Sequence, residues 1–144
     1  MNVSRILEIA LGDVGRKESP PHSNHVAGIT LPGADYPWCA VWISGVLLRA
    51  GIDCPMILSA RKLVEYWQEH GVLVEAASAP YRRGDLILTE RHDERGALVG
   101  HHVALVVSDD GRKLVVVAGN HRDEVGVYEE RRGRVVGSAR VCAD

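Results

Sequence analysis

No stretch of the 144-residue chain approaches the roughly 20 consecutive apolar residues of a membrane-crossing helix, so no membrane insertion is expected. Charge of one sign is also lacking. Seventeen basic and nineteen acidic residues are intermixed without a long block, for a formal net charge of −2. A chain balanced in this way offers no footprint for a phosphate backbone, and no nucleic-acid partner is expected. Cysteine is scarce: Cys39, Cys54 and Cys142 suit no metal motif and cannot all pair within the chain. Cys54 and Cys142 read as buried or incidental thiols, open to linkage only in an oxidising compartment. Neither HExxH nor paired CxxC spacing occurs, so the histidines predict no metal site, and no cofactor is expected. Internal repeats and low-complexity tracts are absent. The N-terminal "MNVSRILEIALGDVGRKE" carries charges inside its apolar stretch, unlike a signal peptide, so synthesis in the cytoplasm is expected.

What is present fits one domain over 1–144, since a 46% hydrophobic fraction can supply a core. The first half reads as helices. Val3, Ile6, Leu7, Ala10, Leu11 and Val14 recur at helical spacing, with Gly15 as a stop. After a loop rich in Pro, Gly, Ser and Asn comes "YPWCAVWISGVLLRAG". Pro37 suits a first helical position, and the apolar residues that follow wrap nearly all round, which predicts a buried central helix closed by Gly51. A third helix fits "SARKLVEYWQEHG", with Ser59 as cap and Gly71 as stop. The second half reads as strands. "GDLILTE" is one, and "HVALVVSDDGRKLVVVAGN" predicts a hairpin turning at Asp110-Gly111. "EVGVYEE" and "RVVGSARV" are expected to pair around a turn near Gly133. Helices followed by antiparallel strands imply an α+β fold.

Cys39 falls in the first turn of the central helix. Unpaired N–H groups and the macrodipole there favour a thiolate, whose ordinary pKa of about 8.5 must fall for work near neutrality. Position alone also suits an inert buried cysteine, so a base is needed. The hairpin offers one. A two-residue turn sets His102 opposite Gly119 and His101 opposite Asn120, whereas a three-residue turn sets His102 opposite Asn120. In either register a histidine and an asparagine share one end of the ribbon, as a Cys-His-Asn arrangement requires. Adjacent strand residues face opposite sides, so only one histidine can meet Cys39. His102 shares its face with Ala104, a small residue that would let the Cys39 helix approach, and is the favoured base. Tyr36, Trp38 and the loop "SPPHSNHVAG", with Asn24, could line a substrate groove, although such residues as often pack or turn. His101 is a further candidate for substrate contact.

In order along the chain, "YPWCAVWISGVLLRAG", "RRGDLIL", "HHVALVV" and "AGNHRDEVGVY" resemble the CHAP and NlpC/P60 peptidases of bacterial cell walls. The branch with W-C-A, a later G-H-V and a terminal G-G-N-Q is the most similar. The resemblance implies a papain-like α+β fold, with N-terminal helices packed on a C-terminal antiparallel sheet. It implies Cys39 as nucleophile, His102 as base and Asn120 as the residue that orients the ring. There are departures. His101 precedes His102 where the family usually has Gly, His121 stands where Gln is common, and Trp42 replaces a usual Phe. The implied activity is hydrolysis of an amide bond in the peptide of peptidoglycan, by an endopeptidase or an N-acetylmuramoyl-L-alanine amidase. A phage endolysin or a delivered antimicrobial effector would reach the wall by release or delivery, as a monomer, and an effector would have an immunity or delivery protein as partner. Two other classes remain open: an acyltransferase or deamidating toxin on the same scaffold, and a non-catalytic binding domain.

Overall fold

A computed structural model describes residues 3–17, 25–26, 29–30, 38–72, 80–121 and 124–142. Three helices, α1 (Val3–Gly12), α2 (Cys39–Arg49) and α3 (Ala60–His70), precede five strands: β3 (Leu86–His92), β4 (Leu98–Asp109), β5 (Leu114–His121), β6 (Glu124–Glu130) and β7 (Val135–Ala139). Two two-residue strands, β1 (His25–Val26) and β2 (Ile29–Thr30), pair with each other between α1 and α2. The α+β expectation holds, and helix boundaries follow local chemistry. Ser59 caps α3, its hydroxyl accepting the Lys62 N–H at 3.2 Å. Helix α2 begins at Cys39, two residues later than a start at Pro37 would give, and every residue from Cys39 to Leu47 is buried.

Asp13 fixes the two N-terminal helices together. It follows α1 and is 3% exposed. Its carboxylate accepts the Trp42 indole N–H at 3.0 Å and two hydrogen bonds from the Arg49 guanidinium, both from α2. Burial works against this carboxylate, but those bonds outweigh it and hold its pKa below the ordinary value.

The five-stranded antiparallel sheet has the order β6-β5-β4-β3-β7. The last two strands therefore do not pair with each other as expected. β6 pairs with β5, β7 pairs with β3, and a 3₁₀ turn at Arg132–Arg134 joins the two sheet edges. Four strand spacings amount to about 19 Å. The five steps from Glu130 to Val135 span at most about 18 Å fully extended, and a 3₁₀ turn is shorter. The sheet must curl to bring its edges within reach, which gives it a concave interior.

Two cores result. Leu86, Leu88, Val103, Leu105 and Val117 pack on the outer face with α1, α2 and α3. Ile87, Ala104, Val106, Leu114, Val116 and Ala118 fill the interior, with Tyr81, Tyr128 and Val135 against them. Ala104 thus faces away from α2. The expectation that it makes room for the Cys39 helix fails, because the small residues Ala104 and Ala118 serve the narrow concave side.

Candidate active site

Cys39 is the first residue of α2 and is 4% exposed. The backbone N–H groups of Val103, Ala40 and Cys39 itself lie near the sulfur and favour its charged form. The Val103 contact defines the site. Val106 donates to the Asp85 carbonyl on the β3 side. Backbone N–H groups alternate sides along a strand, so those of Val103 and Leu105 point towards β5. The β4–β5 ladder ends at Leu105–Val117, and the next N–H of that series lies beside the thiol. Cys39 therefore sits where β4 and β5 part.

Trp38 and Trp42 hold the parting open. A Cβ built on Gly119 would lie 2.8 Å from the Trp38 ring and 2.9 Å from the Trp42 Cβ. Only glycine lets β5 pass there. Trp38 is 2% exposed, so the structure places it in the core. Asn120 follows in a left-handed conformation, φ 60°, which asparagine tolerates, in the irregular stretch between Ala118 and His121.

His102 lies on the interior face, 5% exposed, opposite Thr89 on β3. Arg91 Nη2 is 2.7 Å from its Nδ1, and Tyr128 Oη is 3.0 Å from its Nε2. Arginine only donates, so Nδ1 is the acceptor, and the neutral ring carries its proton on Nε2 and donates it to Tyr128. His121 stacks on the same tyrosine at 4.0 Å between ring centres. Burial first, then the charges of Arg91 and His121, lower the His102 pKa to about 3. The Tyr128 hydroxyl is pushed above its ordinary value, chiefly by burial. These side chains line a cavity of about 340 Å³ that also takes in Arg131 and Arg134.

Cys39 and the His102 cluster are neighbours but are not bonded. Arg91 and Tyr128 both lie within electrostatic reach of the thiol. No hydrogen bond joins Cys39 to either histidine among the described residues. Burial is the largest influence on the thiol and raises its pKa; the three N–H groups and the Arg91 charge do not overcome it. The expected lowering by the helix end is thus reversed, because the sulfur is shielded from water. The structure brings Cys39, His102 and the parted end of β5 together. The hydrogen-bond partners of the His102 ring are Arg91 and Tyr128, not Asn120. His101 is half-buried opposite Glu90, on the face of Val103 and Leu105. Tyr36 and Asn24 lie outside the described residues. Among the described residues, no group of three His, Cys, Asp or Glu side chains could hold a metal.

Arg91 and Tyr128 were missed in the sequence. Their signal lay in strand register. With Thr89 opposite His102, Arg91 becomes a diagonal neighbour of the histidine on the same face. Finding it needed the β3–β4 hairpin, whose turn Asp93 organises by accepting the N–H groups of Arg95 and Ala97.

No protein-family model matches the chain, and no curated protein matches it in sequence. Among solved structures, the chain is similar to the P60 domain of an antigen from M. avium paratuberculosis, with a TM-score of 0.55 and 17% identity, over 96% of this chain and 92% of that one. The chain has the papain-like α+β fold of an NlpC/P60 domain.

Proposed function

We propose that the protein is a cysteine hydrolase of the NlpC/P60 type that cleaves an amide bond in the peptide of peptidoglycan. The supporting observation is the position of Cys39: at the start of the central helix, beside the N–H of Val103 and within electrostatic reach of Arg91 and Tyr128, the partners of His102. His102 takes the thiol proton, and the thiolate attacks the amide carbonyl. The N–H groups of Cys39 and Ala40 suit the oxyanion, where losing one donor typically costs about a hundred- to a thousandfold. The histidine then gives its proton to the leaving amine, and water that it activates hydrolyses the thioester. Asn120 is proposed to orient the ring once substrate is bound, with Tyr36, Asn24 and His101 bordering the substrate. The enzyme acts at the wall as a monomer, after release or delivery.

One observation favours a second reading. A shielded thiol beside a histidine whose lone pair is occupied also suits a binding domain that has kept the scaffold. Digestion of purified peptidoglycan followed by mass spectrometry of the released fragments separates the two. New amine ends that disappear in Cys39→Ser identify the hydrolase and its scissile bond. Intact wall from both proteins rejects it.

A further inference from the structure

The contact between Arg91 and His102 places a permanent cation on the lone pair that a general base must use. Arg91 is itself exposed, so nothing buries it in that position. It lines the 340 Å³ cavity together with Arg131 and Arg134. Among the ion pairs of the described residues, none involves these three arginines. Glu90, Glu129 and Glu130 also line the cavity, but none of them forms an ion pair with these arginines; Glu130 accepts the Arg131 backbone N–H, and Glu90 lies 3.9 Å from His92. Three guanidinium groups without a carboxylate partner around a buried imidazole form a site for an anion, and a planar carboxylate matches the fork of an arginine.

We propose that this cavity binds a free carboxylate of the substrate peptide, and that binding draws Arg91 from His102 Nδ1 and so frees the base. Arg91 then determines specificity and also acts as a latch. A ligand shifts such an equilibrium only by its preference for one state. The carboxylate has that preference, because it pairs with Arg91 only when the guanidinium turns away from the ring. With the lone pair released, the Cys39 proton passes to Nδ1, leaving thiolate and imidazolium. Among the described residues, the groups that bear on the ring are Arg91 from β3, His121 from β5 and Tyr128 from β6, and Glu130 bears in turn on Tyr128. Among the described residues, only Arg91 donates to Nδ1. The base step rests on the hydrolase reading; the carboxylate site and the latch do not.

The test is an NMR titration of the His102 ring, with N-acetyl-dialanine and its C-terminal amide as probes. In the wild type the free acid should raise the protonation midpoint by at least about one pH unit, a tenfold change in proton affinity, and the amide should not. Arg91→Gln should show a raised midpoint without ligand and no response to the acid. Arg134→Gln should keep the low ligand-free midpoint but need more acid for the same rise. Equal effects of acid and amide on the wild type, or none from either, overturn the proposal without recourse to a variant. Cleavage assays keep the two readings apart. A wild type that responds to the acid but cuts no wall peptide rejects the hydrolase and retains the latch. A wild type that cuts acid and amide substrates equally well retains the hydrolase and rejects Arg91 as its specificity element.

Discussion

At the scale of single residues, the two adjacent histidines show how far sequence reasoning reaches. Alternation along β4 requires that they face opposite sides, and they do: His102 faces the interior and His101 shares the outer face of Val103 and Leu105. Which side holds the helices is not local information. It depends on where the bulky residues of neighbouring strands collect, and the small Ala104 pointed the wrong way. Nearness of Cys39 to Arg91 and Tyr128 favours His102 as base despite its interior face. His102→Ala should therefore lose about a hundred- to ten-thousandfold in turnover. His101→Ala should keep most activity, and Asn120→Ala should fall between them. Turnover of the three variants, each first shown to melt near the wild type, decides. A dead His101→Ala beside an active His102→Ala moves the base to the outer face.

At the scale of elements, the helices were legible because each carries its own signals. Ser59 and Gly71 bracket α3, and the all-round apolar run marks α2 as buried. Strand partners were not legible. The turn around Gly133 resembles a hairpin, yet it connects opposite edges of a curled sheet, and curling is set by the whole set of strands. The parting of β4 from β5 depends on one close approach. Gly119→Ala would put a methyl group 2.8 Å from the Trp38 ring and 2.9 Å from the Trp42 Cβ. Both tryptophans are nearly fully buried, so neither can yield cheaply. Overpacking of this kind typically costs about 1–3 kcal/mol. Gly133→Ala, with open space around its Cβ, should stay within about 0.5 kcal/mol of the wild type. Urea unfolding of both variants checks the pair, and equal midpoints would mean that the tryptophans do not wedge the strands.

At the scale of the whole molecule, the same histidine links the site to global stability. In the unfolded chain His102 takes up a proton near its ordinary value of 6.5, whereas in the fold it does so only at about 3. Between those values the unfolded state holds one more proton than the native state, so acidification favours unfolding. The stability that depends on neutral His102 is complete above about pH 6.5 and drains away as pH falls towards 3, a loss of a few kcal/mol at most. Asp13 and Asp109 act with the same sign but lower on the scale. Asp109 titrates at about 2, held down first by its hydrogen bonds from Arg132, and Asp13 is also below its ordinary value. Their losses come mainly below pH 4, which leaves the range from 6.5 to 4.5 to the histidine. His102→Gln keeps an acceptor for Arg91 and a donor for Tyr128 but has no proton to gain. Denaturant midpoints measured across that range should fall with acid in the wild type and stay nearly level in His102→Gln. A parallel fall in both proteins would place the acid sensitivity in other groups and detach His102 from the energetics of the fold.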